Sequence, residues 1–304
     1  MRNVVQSPQV TWIDIQNPKK EDIEYLRKDF NFHPLVLEQL IPHSWSTKVE
    51  TFSDHLFLIL FFPSYNREKR ESRPRELDII VTRDTLVTSH YNSILPLKGI
   101  FDQCNLYAEE KEQWMTRGAG YLLYHMLYAV WEDCSLKVNK IDQKLTSIEE
   151  SIFQGKEQEM LKEISIVKAD IIDFWKIVRP QKGLFTSLRD ISGEFFSREL
   201  TPYFSRLRNH WARVASNLLA HKDAIEALED TNTALLSHKT NEIMKVLTIF
   251  SVIVLPLAIL SQIFGMNTSS LPLQDAPHGF WIITTVMILG MVAFFLYFKK
   301  KKWL

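Results

Sequence analysis

Two stretches near the C-terminal end of the sequence decide the fold: VLTIFSVIVLPLAILSQIFGM at 246–266 and GFWIITTVMILGMVAFFLYF at 279–298. Neither stretch contains Asp, Glu, Lys, Arg or His. Each is about 20 residues long, which is enough for a helix to cross the roughly 30 Å hydrocarbon core of a bilayer. The sequence therefore predicts two transmembrane helices joined by a short loop at 267–278.

The positions of the lysines predict how these two helices are oriented. Lys239 and Lys245 precede the first stretch, a lysine run at 299–302 follows the second, and the loop between them has neither Lys nor Arg. Because cytoplasmic flanks carry the excess of basic residues, both ends of the helical pair are expected on the cytoplasmic side of the cell (inner) membrane. Near the start of the chain, Asp14 and Lys19 interrupt any apolar run. No signal peptide is predicted, and the first part of the chain is expected to stay in the cytosol.

Charge, cysteine content and motifs exclude several functional classes. Lys+Arg and Asp+Glu both number 36, so there is no global basic field that would favour nucleic-acid binding. Cys104 and Cys134 are isolated, a pattern that indicates reduced thiols and not a disulfide or a zinc site. The sequence has no Gly-rich phosphate loop, no HExxH and no nucleophile elbow, so neither enzymatic activity nor a cofactor is expected.

The first third of the sequence predicts a small mixed sheet. Segment 11–15 alternates as a strand, and Asn17 followed by Pro18 begins a helix. Further β-rich segments lie at 56–62, 77–81 and 86–91, the last two separated by a turn at Arg83 and Asp84. Helices from the flanking segments are expected to cover this sheet.

After Trp114 the sequence pattern is helical. One apolar face runs from Tyr121 to Ile152, Gly155 ends that helix, and a returning helix at 156–178 is stopped by Pro180. Acids on these two helices could attract cations; they are Asp142, Glu149, Glu150, Glu157 and Glu163. Lysines are mixed with them, at Lys137, Lys140 and Lys144. A solvated helix face is therefore the favoured interpretation.

A single very long helix is predicted to lead into the membrane. After Pro202 there is no proline until Pro256 and no glycine until Gly265, and apolar residues recur in steps of three, four or seven between Leu207 and Leu235. The pattern predicts one helix of roughly 60 residues, about 90 Å long. Such a helix is too long for a globular domain and must enter the membrane.

The heptad register of this helix continues into the first membrane stretch. The positions that it marks lie on one face, which carries most of the polar or small groups. This polar stripe consists of Asn241, Met244, Thr248, Ser251, Leu255, Ala258, Gln262 and Gly265. Polar groups in a bilayer are costly unless they face protein or water, so the stripe indicates either helix association or an aqueous pathway. Helix association is the commoner cause. The amphipathic helix that feeds into the stripe nevertheless favours a parallel bundle around a pathway for a hydrated cation.

At the outer end of the first stretch, Gly265, Met266 and Asn267 resemble the signature motif of the CorA family of magnesium and divalent-cation channels. Other segments are similar to segments of that family: TNEIMKVLT at 240–248, Pro256-Leu257, YFKKKKWL at 297–304, HPLVLE at 33–38, KVE at 48–50, YLLY at 121–124, and Tyr203-Phe204 with His210. The resemblance covers essentially the whole chain.

The resemblance implies an α+β cytosolic domain (an α/β/α funnel), a very long stalk helix, two transmembrane helices and a homopentameric channel in membrane lipid. It implies a soluble domain with an antiparallel helical pair at 1–200, a stalk helix at 202–245, a pore-lining helix at 246–266, an outer loop at 267–278, a second membrane helix at 279–298 and a basic cytosolic tail at 299–304. It also implies Mg²⁺ as the transported ion, with Co²⁺ or Ni²⁺ as further candidates.

Roles for particular residues are likewise implied by the resemblance. Gly265, Met266 and Asn267 would form the outer selectivity ring, and the polar stripe would line the pore. The positions that narrow the cytoplasmic half of the pore are Asn241, Met244, Leu247 and Leu255. Of these, Met244 and Leu247 are predicted to form a hydrophobic gate, because apolar constrictions close pores by dewetting.

The sequence departs from the family at the place of a regulatory divalent-cation site. The family often has paired acids after HPLVL and an Asp near the start of the stalk. Here those positions are Glu38-Gln39 and Ser205-Arg206. An amide and a guanidinium are poor ligands for a hard cation, so a regulatory metal site is doubtful and closure by intracellular Mg²⁺ is expected to be weak or to use other acids.

The choice of ion and two alternatives stay open. Ala258 and Gln262 stand where many family members have Thr and Gly, and Asp275 is the only acid of the outer loop. Selectivity among Mg²⁺, Co²⁺, Ni²⁺ and Zn²⁺ is therefore not fixed. One alternative is a Zn²⁺ or proton-coupled transporter of the same fold, against which Met266 argues. The other is a non-conducting membrane scaffold.

Overall fold

The computed structural model describes residues 2–30, 32–44, 46–266, 272, 277–301 and 303. The chain divides into two compact units, Met1–Asp230 and Thr231–Leu304.

The first unit contains a six-stranded mixed sheet. Its strands are β1 (Arg2–Gln6), β2 (Thr11–Gln16), β3 (Lys48–Thr51), β4 (Leu56–Asn66), β5 (Glu71–Val81) and β6 (Thr85–His90). They are ordered β1-β2-β6-β5-β4-β3. β2 and β6 pair in parallel, and every other neighbouring pair is antiparallel.

Nine α-helices are found among the described residues. They are α1 (Lys20–Phe30), α2 (Pro34–Gln39), α3 (Leu95–Leu106), α4 (Ala108–Met115), α5 (Ala119–Phe153), α6 (Glu157–Val178), α7 (Lys182–Phe195), α8 (Thr201–Phe264) and α9 (Gly279–Lys300). Short 3-10 turns at Arg179–Gln181 and Arg198–Leu200 flank α7.

Side chains alternate between the two faces of the sheet along each strand. Both faces carry apolar side chains, and helices cover both. On one face, Ile13 and Ile15 of β2 belong to a buried cluster with Leu26 of α1 and Leu37 of α2. On the opposite face, the ring of Trp12 lies 5.0 Å from that of Phe101 in α3, and the ring of Phe62 lies 5.5 Å from that of Trp131 in α5. The predicted α/β/α arrangement is confirmed.

A close approach of α5 to the segment before α8 requires a glycine. A Cβ atom built on Gly120 would lie 2.6 Å from the ring of Phe196 and 2.8 Å from a methyl group of Leu200. No side chain fits there without moving these neighbours. At the other end of α5, Gly155 has φ 88°, and its N–H donates to the carbonyl of Ile152 at 3.1 Å. The prediction that Gly155 ends this helix is confirmed.

Most elements predicted in the first unit are observed, but several strands differ in length or were missed. The predicted strands at 11–15, 56–62, 77–81 and 86–91 correspond to β2, β4, β5 and β6, and the 83–84 turn joins the last two. β4 and β5 extend further than predicted, as a hairpin whose ends pair Asn66 with Glu71. β1 and β3 were not predicted.

The very long helix is confirmed. α8 contains 64 residues, which corresponds to about 96 Å at 1.5 Å per residue. Pro202 lies in its first turn, where the missing N–H costs nothing, and Pro256 lies inside it. The second C-terminal apolar helix, α9, is also observed.

Candidate ion pathway

The apolar half of α8 and the whole of α9 are long and apolar enough to cross a membrane. Of the 18 most apolar consecutive residues in each helix, only 6% are buried within the chain. An apolar helix in the core of a soluble protein would instead be largely buried. This exposure, together with length and composition, makes the two helices candidate membrane spans.

Two faces of α8 differ in how far the chain itself covers them. A covered face is formed by the buried Ile249 and by half-buried residues at helical spacing, namely Ile253, Pro256, Leu260 and Phe264. At 3.6 residues per turn, the polar stripe lies roughly opposite this face. All members of the stripe are exposed except Ala258, which is half-buried. The polar stripe is therefore the side of α8 that a single chain leaves open.

The hydroxyl groups of the polar stripe act as acceptors toward their surroundings. Thr248 Oγ1 donates to the carbonyl of Met244 at 2.7 Å, and Ser251 Oγ donates to the carbonyl of Leu247 at 2.9 Å. Since each hydroxyl has only one proton, these bonds leave oxygen lone pairs facing outward. The water molecules around a hydrated cation point their hydrogens away from the ion. Oxygen atoms that accept hydrogen bonds can therefore bind this water shell.

At its C-terminal end, α8 stops immediately before the Gly-Met-Asn motif. The N–H of Gly265 donates to the carbonyls of Ser261 at 3.0 Å and Gln262 at 3.1 Å, and the N–H of Met266 donates to the carbonyl of Ile263 at 3.3 Å. A Cβ atom on Gly265 would lie 3.3 Å from the Ser261 carbonyl oxygen, so a larger residue would crowd the last turn. The predicted selectivity residue Asn267 lies outside the described residues.

The predicted gate residues lie one turn apart in the same helix. Met244 and Leu247 are both exposed, with 54% and 57% of their surface accessible. Leu255, which was predicted to narrow the same half of the pathway, is exposed at 63%. Asn241 is exposed as well. The described residues of the chain therefore leave the apolar side chains of Met244, Leu247 and Leu255 exposed.

At the position where the resemblance implies a regulatory cation site, a lysine contacts the amide of Gln39. The side-chain N–H of Gln39 donates to the Leu35 carbonyl at 3.0 Å, and the Lys48 ammonium contacts the Gln39 amide oxygen. The same ammonium lies 3.1 Å from a carboxylate oxygen of Glu50, whereas Glu38 is exposed. Among the described residues, no group of three or more His, Cys, Asp or Glu side chains could hold a metal ion.

Arg206, the other departure from the family pattern, is held against an aromatic ring. Its guanidinium carbon lies 5.0 Å from the centre of the Tyr128 ring, and Nη2 lies 3.4 Å from the Tyr128 hydroxyl. A cation over an aromatic face is stabilised by the ring quadrupole. The guanidinium thus adds positive charge at a position where the resemblance implies an acid.

Sequence reasoning missed a buried acidic pair in β5. Glu76 accepts hydrogen bonds from the backbone N–H of Ser44 at 2.7 Å and pairs with His43 Nδ1 at 2.8 Å. Burial raises the pKa of Asp78 to about 9, and the neighbouring charge of Glu76 adds to the shift. The sequence does contain a signal for this pair: Asp78 lies between Leu77 and Ile79, inside an apolar segment that is predicted to be a strand.

The first unit is an α/β domain, and two membrane-length helices follow it, one with a polar stripe that its own chain leaves open. These are features of a membrane transport protein. The family described as "CorA-like Mg2+ transporter protein" matches residues 7–300. The chain therefore belongs to the CorA-like family and is a divalent-cation transporter; the family is one of transporters and not of enzymes.

Similar proteins share nearly the full length of the chain. The cobalt/magnesium transport protein CorA of Thermotoga maritima is 29% identical over 297 residues, which cover 97% of this chain and 83% of that protein. The cobalt/magnesium transport protein CorA of Methanocaldococcus jannaschii is 24% identical over 294 residues, covering 96% and 91%. The complete structure of the CorA magnesium transporter from M. jannaschii superimposes with a TM-score of 0.82 at 24% identity, covering 97% of this chain and 92% of the other. The fold of the whole chain is therefore that of the CorA structure.

Proposed function

We propose that the chain assembles as a homopentameric channel in the cell membrane and admits hydrated divalent cations, Mg²⁺ foremost and then Co²⁺ or Ni²⁺. The observation that carries this proposal is the exposed polar stripe opposite the covered face of α8. A ring of parallel copies would bring the stripes together around a central axis. The number five rests on the resemblance of the Gly265-Met266-Asn267 motif and its context to CorA channels, and the names of the relatives support Mg²⁺ and Co²⁺.

In this channel, α8 from residue 246 onward lines the pore, and α9 packs outside it in contact with lipid. Residues 1–200, the stalk at 202–245 and the tail at 299–304 lie in the cytosol, and the loop 267–278 lies outside. The lysines at 299–301 support this orientation, because they flank the cytoplasmic end of α9.

Ion recognition in this proposal uses neutral oxygens. The amides of Asn267, Gln262 and Asn241, the hydroxyl oxygens of Thr248 and Ser251, and the backbone around Gly265 and Met266 would face the pore. Mg²⁺ gives up its water reluctantly, so neutral acceptors that bind the outer face of its water shell let the hydrated ion pass. Leu255 and Ala258 would space these polar rings, and Met244 with Leu247 would close the cytoplasmic half.

The test is Mg²⁺ uptake into liposomes that contain the purified protein. Asn267→Ala is expected to abolish uptake, because the outermost amide ring would be lost. Thr285→Ala is the matched control: Thr285 lies in α9, its hydroxyl donates to the Trp281 carbonyl at 2.7 Å, and the variant should conduct as the unmodified chain does.

Competition by Co²⁺, Ni²⁺ and Zn²⁺ in the same assay would rank the ions. Absence of flux for every ion in the unmodified protein would reject the channel and favour a non-conducting scaffold. A flux that required a proton gradient would instead favour the coupled transporter.

A further inference from the structure

A cavity in the first unit has a basic lining that the transport function does not use. It has a volume of about 510 Å³ and lies where α5 and α6 cover the sheet. Lys137, Lys140 and Lys144 of α5 contribute to it, and their spacing of three and four places them on one face of that helix. The sequence predicts a solvated face for these lysines; Lys140 is exposed and Lys137 and Lys144 are half-buried, and all three line this cavity.

The sheet contributes an arginine to the same cavity. Arg75 of β5 lies directly across from Phe62 of β4, and both side chains line the cavity. The Nε atom of Arg75 is buried and has no hydrogen-bond partner within the described parts of the chain. A buried donor without an acceptor destabilises the fold, so a bound acceptor would be stabilising.

Positive charge exceeds negative charge around this cavity. Its basic residues are Arg67, Arg75, Lys137, Lys140 and Lys144, and its acids are Asp133 and Asp170. The Lys137 ammonium lies 2.6 Å from a carboxylate oxygen of Asp133, so this pair has no net charge. Burial raises the pKa of Asp170, which favours its neutral form, although a hydrogen bond with Ser72 opposes the shift. Of the acids that line the cavity, only Asp170 is left to compensate the other four cations.

Apart from Ser64, Ser72 and Ser93, the remaining lining is apolar or aromatic. Phe62, Val130, Ile141 and Phe174 are all buried residues that contribute to the wall, and Tyr65 lies at its edge with the Lys144 ammonium 4.7 Å from the ring centre. A volume of this size is within the range of small-molecule sites, which combine apolar walls with a few charged groups. The lining therefore suits a ligand with a concentrated negative charge and a compact uncharged part.

We propose that this cavity binds a phosphate chain, either that of a nucleoside di- or triphosphate or an inorganic polyphosphate. Arg75 and Lys140 contact phosphate oxygens from opposite walls, because guanidinium and ammonium groups form their strongest hydrogen bonds with such anions. Lys144 and Arg67 add charge at the opening, and a nucleoside part, where present, packs on the apolar wall. Phosphate chains also bind Mg²⁺. The site would therefore place a cytosolic magnesium ligand on the soluble domain of a divalent-cation transporter.

Isothermal titration of the full-length protein in detergent and Mg²⁺-free buffer tests this site, with ATP, ADP, inorganic triphosphate and adenosine as ligands. The variants are Lys140→Gln, whose side chain is exposed and whose loss leaves the core intact, and Arg75→Gln. Lys162→Gln is the matched control, because Lys162 is an exposed lysine of α6 that does not line the cavity. Loss of either cavity cation should weaken binding by about tenfold, the effect of one charged hydrogen bond.

Saturable binding of ATP or triphosphate that weakens in both cavity variants and not in Lys162→Gln supports the proposal. Equal affinity for ATP and triphosphate identifies the phosphate chain as the recognised part, and tighter binding of ATP identifies a nucleotide. Three results would overturn it: no saturable binding of either ligand, unchanged affinity in both cavity variants, or adenosine that binds as tightly as ATP. The readout is binding alone, so it is independent of whether the chain conducts ions.

Discussion

The same residue types are treated in opposite ways by the two units of the chain. In the first unit, Trp12, Trp131 and Phe57 are completely buried. In the second, Phe250, Phe280 and Trp281 are at least 66% exposed. These aromatic side chains of the first unit are thus buried within one chain, whereas those of the second are left exposed by it; in the proposed channel, lipid and further copies of the chain would cover them. A substitution should therefore affect folding in the first unit and assembly or conduction in the second.

The largest effect is expected from truncating an aromatic residue in the core of the first unit. Trp131 packs at 5.5 Å from Phe62 and at 5.4 Å from Phe185, measured between ring centres. Trp131→Ala should lower the free energy of unfolding by about 3–5 kcal/mol, because it removes buried area and leaves a cavity. Thermal unfolding of the detergent-solubilised protein measures the change.

Phe250→Ala provides the matched comparison, since Phe250 is 66% exposed in α8. Its effect on the unfolding of the first unit should stay within about 0.5 kcal/mol. If both substitutions lowered the free energy of unfolding by similar amounts, burial within one chain would not explain the difference between the two units.

The next effect concerns the buried acid of β5. Asp78 retains its proton in the folded chain up to a pKa of about 9, because of burial and the charge of Glu76. In the unfolded chain it releases that proton near pH 4, so the folded state binds more protons between these values and stability falls as the pH rises through this range. Asp78→Asn keeps a neutral donor beside Glu76 and should raise stability at pH 8 by about 1–3 kcal/mol.

Unfolding experiments at pH 5 and pH 8 measure this difference, and Asp102→Asn, which changes an exposed acid of α3, is the control. The gain from Asp78→Asn should be smaller at pH 5 than at pH 8. A gain independent of pH would mean that Asp78 is ionised in the folded chain throughout.

A smaller effect, confined to conduction, is expected at the proposed gate. Leu247→Ala removes apolar surface from a constriction that closes by dewetting. If each lost methylene lowers the barrier by about 0.8 kcal/mol, leak through the closed channel should rise by about tenfold or more. Flux into liposomes under closing conditions measures it. Ile288→Ala, at an exposed position of α9, should leave the leak unchanged, and an unchanged leak in Leu247→Ala would argue against the gate.

How far the sequence predicts the structure differs between the same two units. The charge-free stretches and the unbroken register from Leu207 to Gly265 predict α8, α9 and the polar stripe, because a helix depends on neighbours three and four residues away. The edge strands β1 and β3 were missed. Edge strands are short and half solvated, so their sequences lack a distinctive apolar pattern.

Long-range pairing explains what the sequence could not predict in the candidate sites. The spacing of Lys137, Lys140 and Lys144 predicts that they share a helix face, but only the β4–β5 hairpin and α6 make that face the wall of a cavity. Similarly, an amide at Gln39 is visible in the sequence, whereas its contact with Lys48 depends on how β3 pairs with β4 and how α2 packs on the sheet. The proposed role of Asn267 stays a prediction from sequence.

The smallest expected effect is the reduction of ion flux by intracellular Mg²⁺. Measuring it separates regulation by the first unit from conduction through the second. With Lys48 in contact with Gln39, and Arg206 over Tyr128, positive charge already occupies the positions where acids would bind a regulatory cation. Raising Mg²⁺ on the cytosolic side should therefore reduce flux only weakly. Restoring acids with the double substitution Gln39→Asp and Arg206→Asp should produce closure that saturates with Mg²⁺, since two hard oxygen ligands replace an amide and a cation. Gln39→Asp combined with Arg206→Lys is the matched control, because it restores one acid but keeps the opposing charge. Tight, saturable closure in the unmodified channel would show that other acids of the first unit bind the ion.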